Sequence, residues 1–148
     1  MRINVFGLGY VGCVSAACLA RAGHEVTGVD IDPLKLEMIR SGRSPIIEPG
    51  LEAIIDEVIR CRRLTPADVE QPADVSLICV GTPSNPNGSA SLEYVERVSQ
   101  QIGRLLRNSN DFHVVCVRST VPPGTVEELV VPILESGSGK RLERDFGV

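Results

Sequence analysis

The sequence predicts a single-domain α/β fold built on an open, parallel, doubly wound sheet. Short β-rich runs alternate with segments of helical spacing along the whole chain, and that alternation implies parallel strands joined by right-handed crossovers. The core has to be aliphatic: the aromatic residues are only Phe6, Tyr10, Tyr94, Phe112 and Phe146, with no Trp, and Val, Ile, Leu and Ala suit strands buried on both faces. At 148 residues the chain fits one ordinary domain, and 43% apolar with 23% charged residues exclude a disordered or collagen-like chain. No internal repeat, low-complexity stretch or linker divides it.

Residues 2–6 form a β-rich run ending at Gly7, and residues 10–22 carry small and apolar side chains at helical spacing up to Gly23, which suits the position after a helix C-cap. Residues 25–30 are a second strand ending in Asp30, and Asp32-Pro33 supplies an N-cap and first helical residue for a helix to about Ser41. Pro49-Gly50-Leu51 opens the next helix, with Pro49 expected at its first position and apolar Leu51, Ile54, Ile55, Val58 and Ile59 inside. Residues 64–73 hold two prolines and little pattern, which makes a third strand there a weaker expectation. Residues 74–80 are a strongly apolar strand, 81–91 a polar loop, and 92–106 an amphipathic helix with Val95, Val98, Ile102, Leu105 and Leu106 on one side. Residues 112–117 read as a buried strand, 124–134 as a helix carrying Pro132 near its end, and 146–148 as the start of another strand.

Charge and cysteine usage narrow the function classes. The net charge is −4 and the densest basic group is Arg60, Arg62 and Arg63, so nucleic acid is not the expected partner. No apolar run reaches the roughly 18 residues that span a bilayer, and Gly7, Gly9 and Gly12 break the helical core a secretory leader would need. A cytoplasmic protein with no membrane partner is the expectation. Five cysteines, at 13, 18, 61, 79 and 116, show no C-x-x-C pair and no zinc-like spacing with His24 or His113. They are expected to be reduced, small hydrophobes, with Cys79 and Cys116 buried inside apolar strands and no metal site. His24 reads as a turn residue and His113 as a strand-opening residue, neither catalytic, because no acid or base partner stands at useful spacing.

Gly7-Leu8-Gly9-Tyr10-Val11-Gly12 fits G-x-G-x-x-G between a strand and a helix, the context that gives the motif meaning. The first glycine permits the tight turn, the second lets backbone approach a pyrophosphate, the third lets helix pack on strand, and free amides at the helix start face the phosphates. Asp30 follows at the end of the second strand, near the roughly 20-residue interval of a carboxylate that accepts from ribose hydroxyls. An acid there disfavours a 2′-phosphate, so this Rossmann-like fold is expected to bind NAD rather than NADP. Lys35, one turn further on, either bonds the same ribose or is an ordinary exposed lysine. Parallel topology places the ends of the first, second, fourth and fifth strands on one edge, so loops 7–12, 30–35, 81–88 and 118–125 are expected to converge there.

With those motifs stand Gly23-His24-Glu25-Val26, Ser44-Pro45-Ile46-Ile47-Glu48-Pro49-Gly50-Leu51, Ile78-Cys79-Val80-Gly81-Thr82-Pro83 and Arg118-Ser119-Thr120-Val121-Pro122-Pro123-Gly124-Thr125. In this order, over essentially the whole chain, they resemble the UDP-glucose/GDP-mannose dehydrogenase family, and the likeness is greatest to its bacterial GDP-mannose branch. The resemblance implies oxidation of a sugar-nucleotide C6 alcohol to a carboxylate with two NAD, through an aldehyde and a cysteine thioester. It implies pyrophosphate contacts from Tyr10 and Val11, ribose contacts from Asp30 and Lys35, and Thr82 and Thr120 on the ribose or nicotinamide side, with Thr120 ordering a catalytic water. Contacts to substrate from residues 48–51 are a further implication.

The family's catalytic lysine, its thioester-forming cysteine, the central helix and the nucleotide-sugar domain match nothing in this sequence, so the chain alone is expected not to turn over. The segment 62–73 is about four residues shorter than the family pattern, which bears on the third strand and a small helix after it. GDP-mannose and UDP-glucose both stay open as substrates, and a homo-oligomer is expected of a full-length enzyme. A free-standing, non-catalytic NAD-binding module is the competing reading. A β-hydroxyacid-type dehydrogenase shares the first βαβ unit but is disfavoured by the Gly-Thr-Pro and Ser-Thr-Val-Pro-Pro-Gly-Thr loops.

Overall fold

Strand β1 (Arg2–Phe6) lies at the centre of the sheet because Ile3 to Phe6 are all buried and find partners on both sides. In the computed structural model, which describes residues 1–148, all six strands run parallel in the order β3-β2-β1-β4-β5-β6. The others are β2 (Glu25–Val29), β3 (Leu64–Ala67), β4 (Val75–Ile78), β5 (His113–Val117) and β6 (Phe146–Gly147). Crossovers carry helices α1 (Tyr10–Arg21), α2 (Pro33–Arg40), α3 (Leu51–Arg60), α4 (Glu93–Arg107) and α5 (Val131–Ser138). The reversal of strand order between β1 and β4 opens the crevice in which such sheets bind ligands, at the carboxyl ends of the strands.

Alternation along the strands divides the core in two. Ile3, Val5, Leu77 and Cys79 face α1, α2 and α3, whereas Phe6, Val29, Ile78 and Val115 face α4 and α5. On the second face Gly103 of α4 meets Gly137 of α5 so closely that a Cβ on Gly103 would lie 3.3 Å from the Gly137 Cα. Arg107 closes the contact, donating to the Gly137 carbonyl at 2.6 and 3.0 Å. Buried polar groups are paired: the Asn4 amide bridges Gln71 at 2.7 and 3.2 Å, and the His113 ring spans the Ala73 carbonyl at 2.9 Å and the Ser76 hydroxyl at 3.0 Å.

The helix start at Asp32-Pro33 is as expected, with the Asp32 carboxylate accepting from the Leu34 amide at 2.9 Å. Three expectations are corrected. Pro49 is not the first helical residue of α3; Gly50, at φ +80°, is its N-cap, and Leu51 begins the helix. The strand expected more weakly over 64–73 does form, in spite of Pro66, because β3 is an edge strand, where a missing amide leaves no ladder bond unmade; no helix forms between it and β4. The helix expected over 124–134 begins with a π-helical turn, Val126–Val130, and continues as α5 to Ser138. Pro132 lacks a donor and crowds the carbonyl four residues back, and the wider turn accommodates it.

The last correction concerns cysteine. Cys13 and Cys79 are buried, but Cys18, Cys61 and Cys116 are exposed. Cys116 shares with Val114 the face of β5 opposite α4 and α5, where no helix of residues 1–148 lies over the strand. No helix is long and apolar enough to cross a membrane.

Candidate functional site

The turn from β1 to α1 is locked before any ligand is considered. Gly7 adopts φ +89°, and a Cβ there would stand 2.9 Å from the Cys79 carbonyl oxygen, so glycine is required twice over. The Gly7 amide donates to the Val29 carbonyl at 2.8 Å. Leu8 folds inward onto Gly28, whose own Cβ would lie 3.0 Å from the Leu8 side chain. A Cβ on Gly12 would run into the Gly7 carbonyl oxygen, which is how this glycine lets α1 pack against the turn.

Gly9 differs from both. It is the N-cap of α1, with φ −72° and no side-chain cap, and a Cβ placed on it meets nothing within 4 Å. Neither backbone conformation nor internal packing demands glycine at this position; the free space lies outside the protein, where a ligand would approach.

Asp30, just beyond β2, is almost fully buried and gathers three donors. Its Oδ2 accepts from the Leu8 amide at 2.6 Å and the Lys35 ammonium at 3.3 Å, and its Oδ1 from the Asp32 amide at 2.9 Å. A carboxylate offers about four acceptor positions, so one stays available for a hydroxyl. Gly7, Gly9, Asp30 and Lys35 line a single cavity of about 310 Å³ whose other wall is Val80, Gly81 and one face of α4.

Other expected site residues lie outside that cavity. Gly12 is buried beneath the turn, while Tyr10 and Val11 are exposed and line a neighbouring groove with Ser15 and Arg118. The Tyr10 hydroxyl donates to the Glu48 carboxylate, and Arg118 donates to the Ser15 hydroxyl at 3.0 Å. The loops after β4 and β5 do meet, through the Thr82 hydroxyl donating to the Thr120 carbonyl at 2.9 Å, and the Thr120 side chain is left in solvent. Asp68, Tyr94, Arg97 and Gln101 line the cavity although no sequence motif pointed to them. The signal available was positional: 94, 97, 98 and 101 fall on one helical face beside the apolar stripe. A wider cavity of about 650 Å³ opens by Arg2, Glu25 and Arg63 at the amino ends of the strands and contains none of the expected site residues.

Burial pushes the Cys13 thiol up to about 11, Lys35 opposing, and pushes Cys79 likewise to about 11 with Arg118 opposing. Neither supplies a thiolate at neutral pH.

Comparison with known proteins places this geometry. The model of the UDP-glucose/GDP-mannose dehydrogenase family, NAD binding domain, matches residues 1–148. The chain belongs to the UDP-glucose/GDP-mannose dehydrogenase family. It is similar to GDP-mannose 6-dehydrogenase of Pseudomonas putida, at 53% identity covering 100% of this chain and 35% of that protein. UDP-glucose 6-dehydrogenase of Pseudomonas aeruginosa is 41% identical, covering 97% of this chain and 32% of its own length. A crystal structure of a ternary complex of GDP-mannose dehydrogenase from Pseudomonas aeruginosa superposes with a TM-score of 0.95 at 49% identity, covering 100% of this chain and 35% of that one. The chain thus spans about 35% of the length of the GDP-mannose relatives it matches. Within the family these residues constitute the NAD-binding domain, and NAD is its cofactor. The structure fits that group: the vacant side-chain position at Gly9 admits a pyrophosphate to the amides of α1, and the last acceptor position of Asp30 suits a ribose hydroxyl.

Proposed function

We propose that this chain serves a nucleotide-sugar 6-dehydrogenase by holding NAD along the turn from Gly7 to Gly12, with Asp30 and Lys35 on the adenosine ribose. The observation that carries the reading is Gly9, whose open side-chain position leaves the amides at the start of α1 within reach of a ligand. When bound, NAD supplies hydride acceptance for oxidation of the sugar C6 alcohol. The chain's own residues bind and orient. Tyr10 and Val11 offer backbone at the first turn of α1, where unpaired amides and the helix dipole favour phosphate. Thr82 and Thr120, tied together at the rim, are assigned to the nicotinamide side, with the solvent-facing Thr120 hydroxyl free to order a water.

None of the chain's cysteines fits a thioester nucleophile: Cys13 and Cys79 are buried with raised pKa values, and Cys18, Cys61 and Cys116 do not line the cavity. Turnover is therefore assigned to residues matching the rest of the relatives' length, and GDP-mannose is favoured as substrate over UDP-glucose by the 53% against 41% identities. Calorimetric titration of the folded 148-residue chain with NADH and with NADPH tests the reading. NADH is expected to bind and NADPH to bind more weakly, because a 2′-phosphate would meet the Asp30 carboxylate; equal affinities would remove the ribose assignment, and absence of binding would remove the site.

A further inference from the structure

Resting on the placement of the adenosine ribose at Asp30, we propose that Asp68 reads the base: its carboxylate accepts from the exocyclic 6-amino group of adenine and discriminates against 6-oxo purines. Strands β2 and β3 pair in parallel with Val29 opposite Ala67, so the next residue of each, Asp30 and Asp68, stand side by side at the carboxyl edge of the sheet. The Asp30 amide donates to the Ala67 carbonyl at 3.2 Å and holds the two chain ends together at that point. A base attached to a ribose on Asp30 enters the part of the cavity that Asp68 borders.

The lining of that cavity has the chemistry that suits a flat heterocycle. Val29, Ile31, Val80 and Val98 supply apolar surface, and Tyr94, Arg97 and Gln101 project from successive turns of the same α4 face. The Arg97 guanidinium, paired with Glu93 at 3.0 Å on the same helix, borders the cavity and offers a planar cation on which a purine can stack. The two acids differ in what is left to them. Asp30 is engaged by three protein donors, whereas the Asp68 carboxylate has no hydrogen bond or ion pair within the protein and is exposed. An unpaired acceptor at the edge of an apolar slot selects a ligand that brings a donor there, and an oxygen in place of the amino group sets two acceptors against each other.

The test compares NADH with reduced nicotinamide hypoxanthine dinucleotide, which differs at the 6-position of the purine, by calorimetry on the parent chain, on Asp68→Asn and on Asp68→Ala. The parent is expected to favour NADH by about tenfold, the worth of one charge-assisted hydrogen bond. Asp68→Asn, whose amide can turn its NH₂ toward an oxygen, is expected to lose most of that preference and to gain affinity for the hypoxanthine form, while Asp68→Ala loses the preference without the gain. An unchanged preference in both variants, or no preference in the parent, overturns the role of Asp68 and leaves the NAD site standing. Failure of the folded parent to bind either dinucleotide overturns both.

Discussion

The Leu8 amide donates to Asp30 Oδ2 at 2.6 Å, across 22 positions of sequence. This bond makes Asp30, the residue proposed to meet the ribose, part of the turn as well: the acid at the end of β2 holds the second residue of the glycine motif in place, and Lys35 balances its charge from α2. Two features that the motif lists separately, the glycines and the distant acid, are one hydrogen-bonded unit.

Asp30→Ala is accordingly expected to do two things. NADH affinity should fall by about tenfold or more, and unfolding free energy by about 1–3 kcal/mol, because the buried Leu8 amide loses its acceptor. Calorimetry and urea unfolding measure the two separately. Unchanged stability together with weakened binding would show that the bond to Leu8 is dispensable, and unchanged affinity would remove the ribose role.

Gly9 and Gly12 should separate binding from folding. Gly9→Ala is expected to leave stability within about 1 kcal/mol of the parent, since the site has room and an ordinary φ, yet to weaken NADH binding sharply by filling the space at the pyrophosphate. Gly12→Ala drives a Cβ into the Gly7 carbonyl oxygen and is expected to destabilise the fold by about 1–3 kcal/mol. Thermal unfolding beside calorimetry distinguishes them, and parental affinity in Gly9→Ala would sink the phosphate reading of the turn.

His113 should make stability depend on pH. Its Nδ1 donates to the Ala73 carbonyl and its Nε2 accepts from the Ser76 hydroxyl, an arrangement that holds the neutral ring, and burial is the main cause that lowers its pKa below the ordinary 6.5. A depressed folded-state pKa means that the unfolded chain binds the proton more readily. The contribution is therefore fully present above 6.5 and is lost as pH falls through the lower folded value. Urea unfolding at about pH 8 and about pH 5 should show the parent losing more stability than His113→Asn over this interval; an equal loss in both would mean that other groups carry the dependence.

Thiol accessibility should divide the cysteines three to two. Cys18, Cys61 and Cys116 are exposed and should react with a disulfide reagent in the native protein, while Cys13 and Cys79, buried and with thiols raised to about 11, should react only on unfolding. Fast reaction of all five in the native state would contradict the burial of Cys13 and Cys79.

The sequence by itself determined the class of sheet, the positions of most strands and helices, and the glycine turn with its distant acid. Those properties are local: they follow from the alternation of residues 2–6 and 25–29, the caps at Asp32 and Gly23, and the fixed spacing of a βαβ unit. Resemblance added the family. Tertiary structure alone decided what depends on which element lies beside which. Pro66 is tolerated because β3 is at the sheet edge, and Cys116 is exposed because no helix of these residues covers its side of β5. The same holds for the cavity: Asp68 and the α4 face of Tyr94, Arg97 and Gln101 reach Asp30 only once β3 has paired with β2 and α4 has crossed behind β4. Burial and cavity lining are relations between segments distant in sequence, and periodicity within one segment does not encode its neighbour.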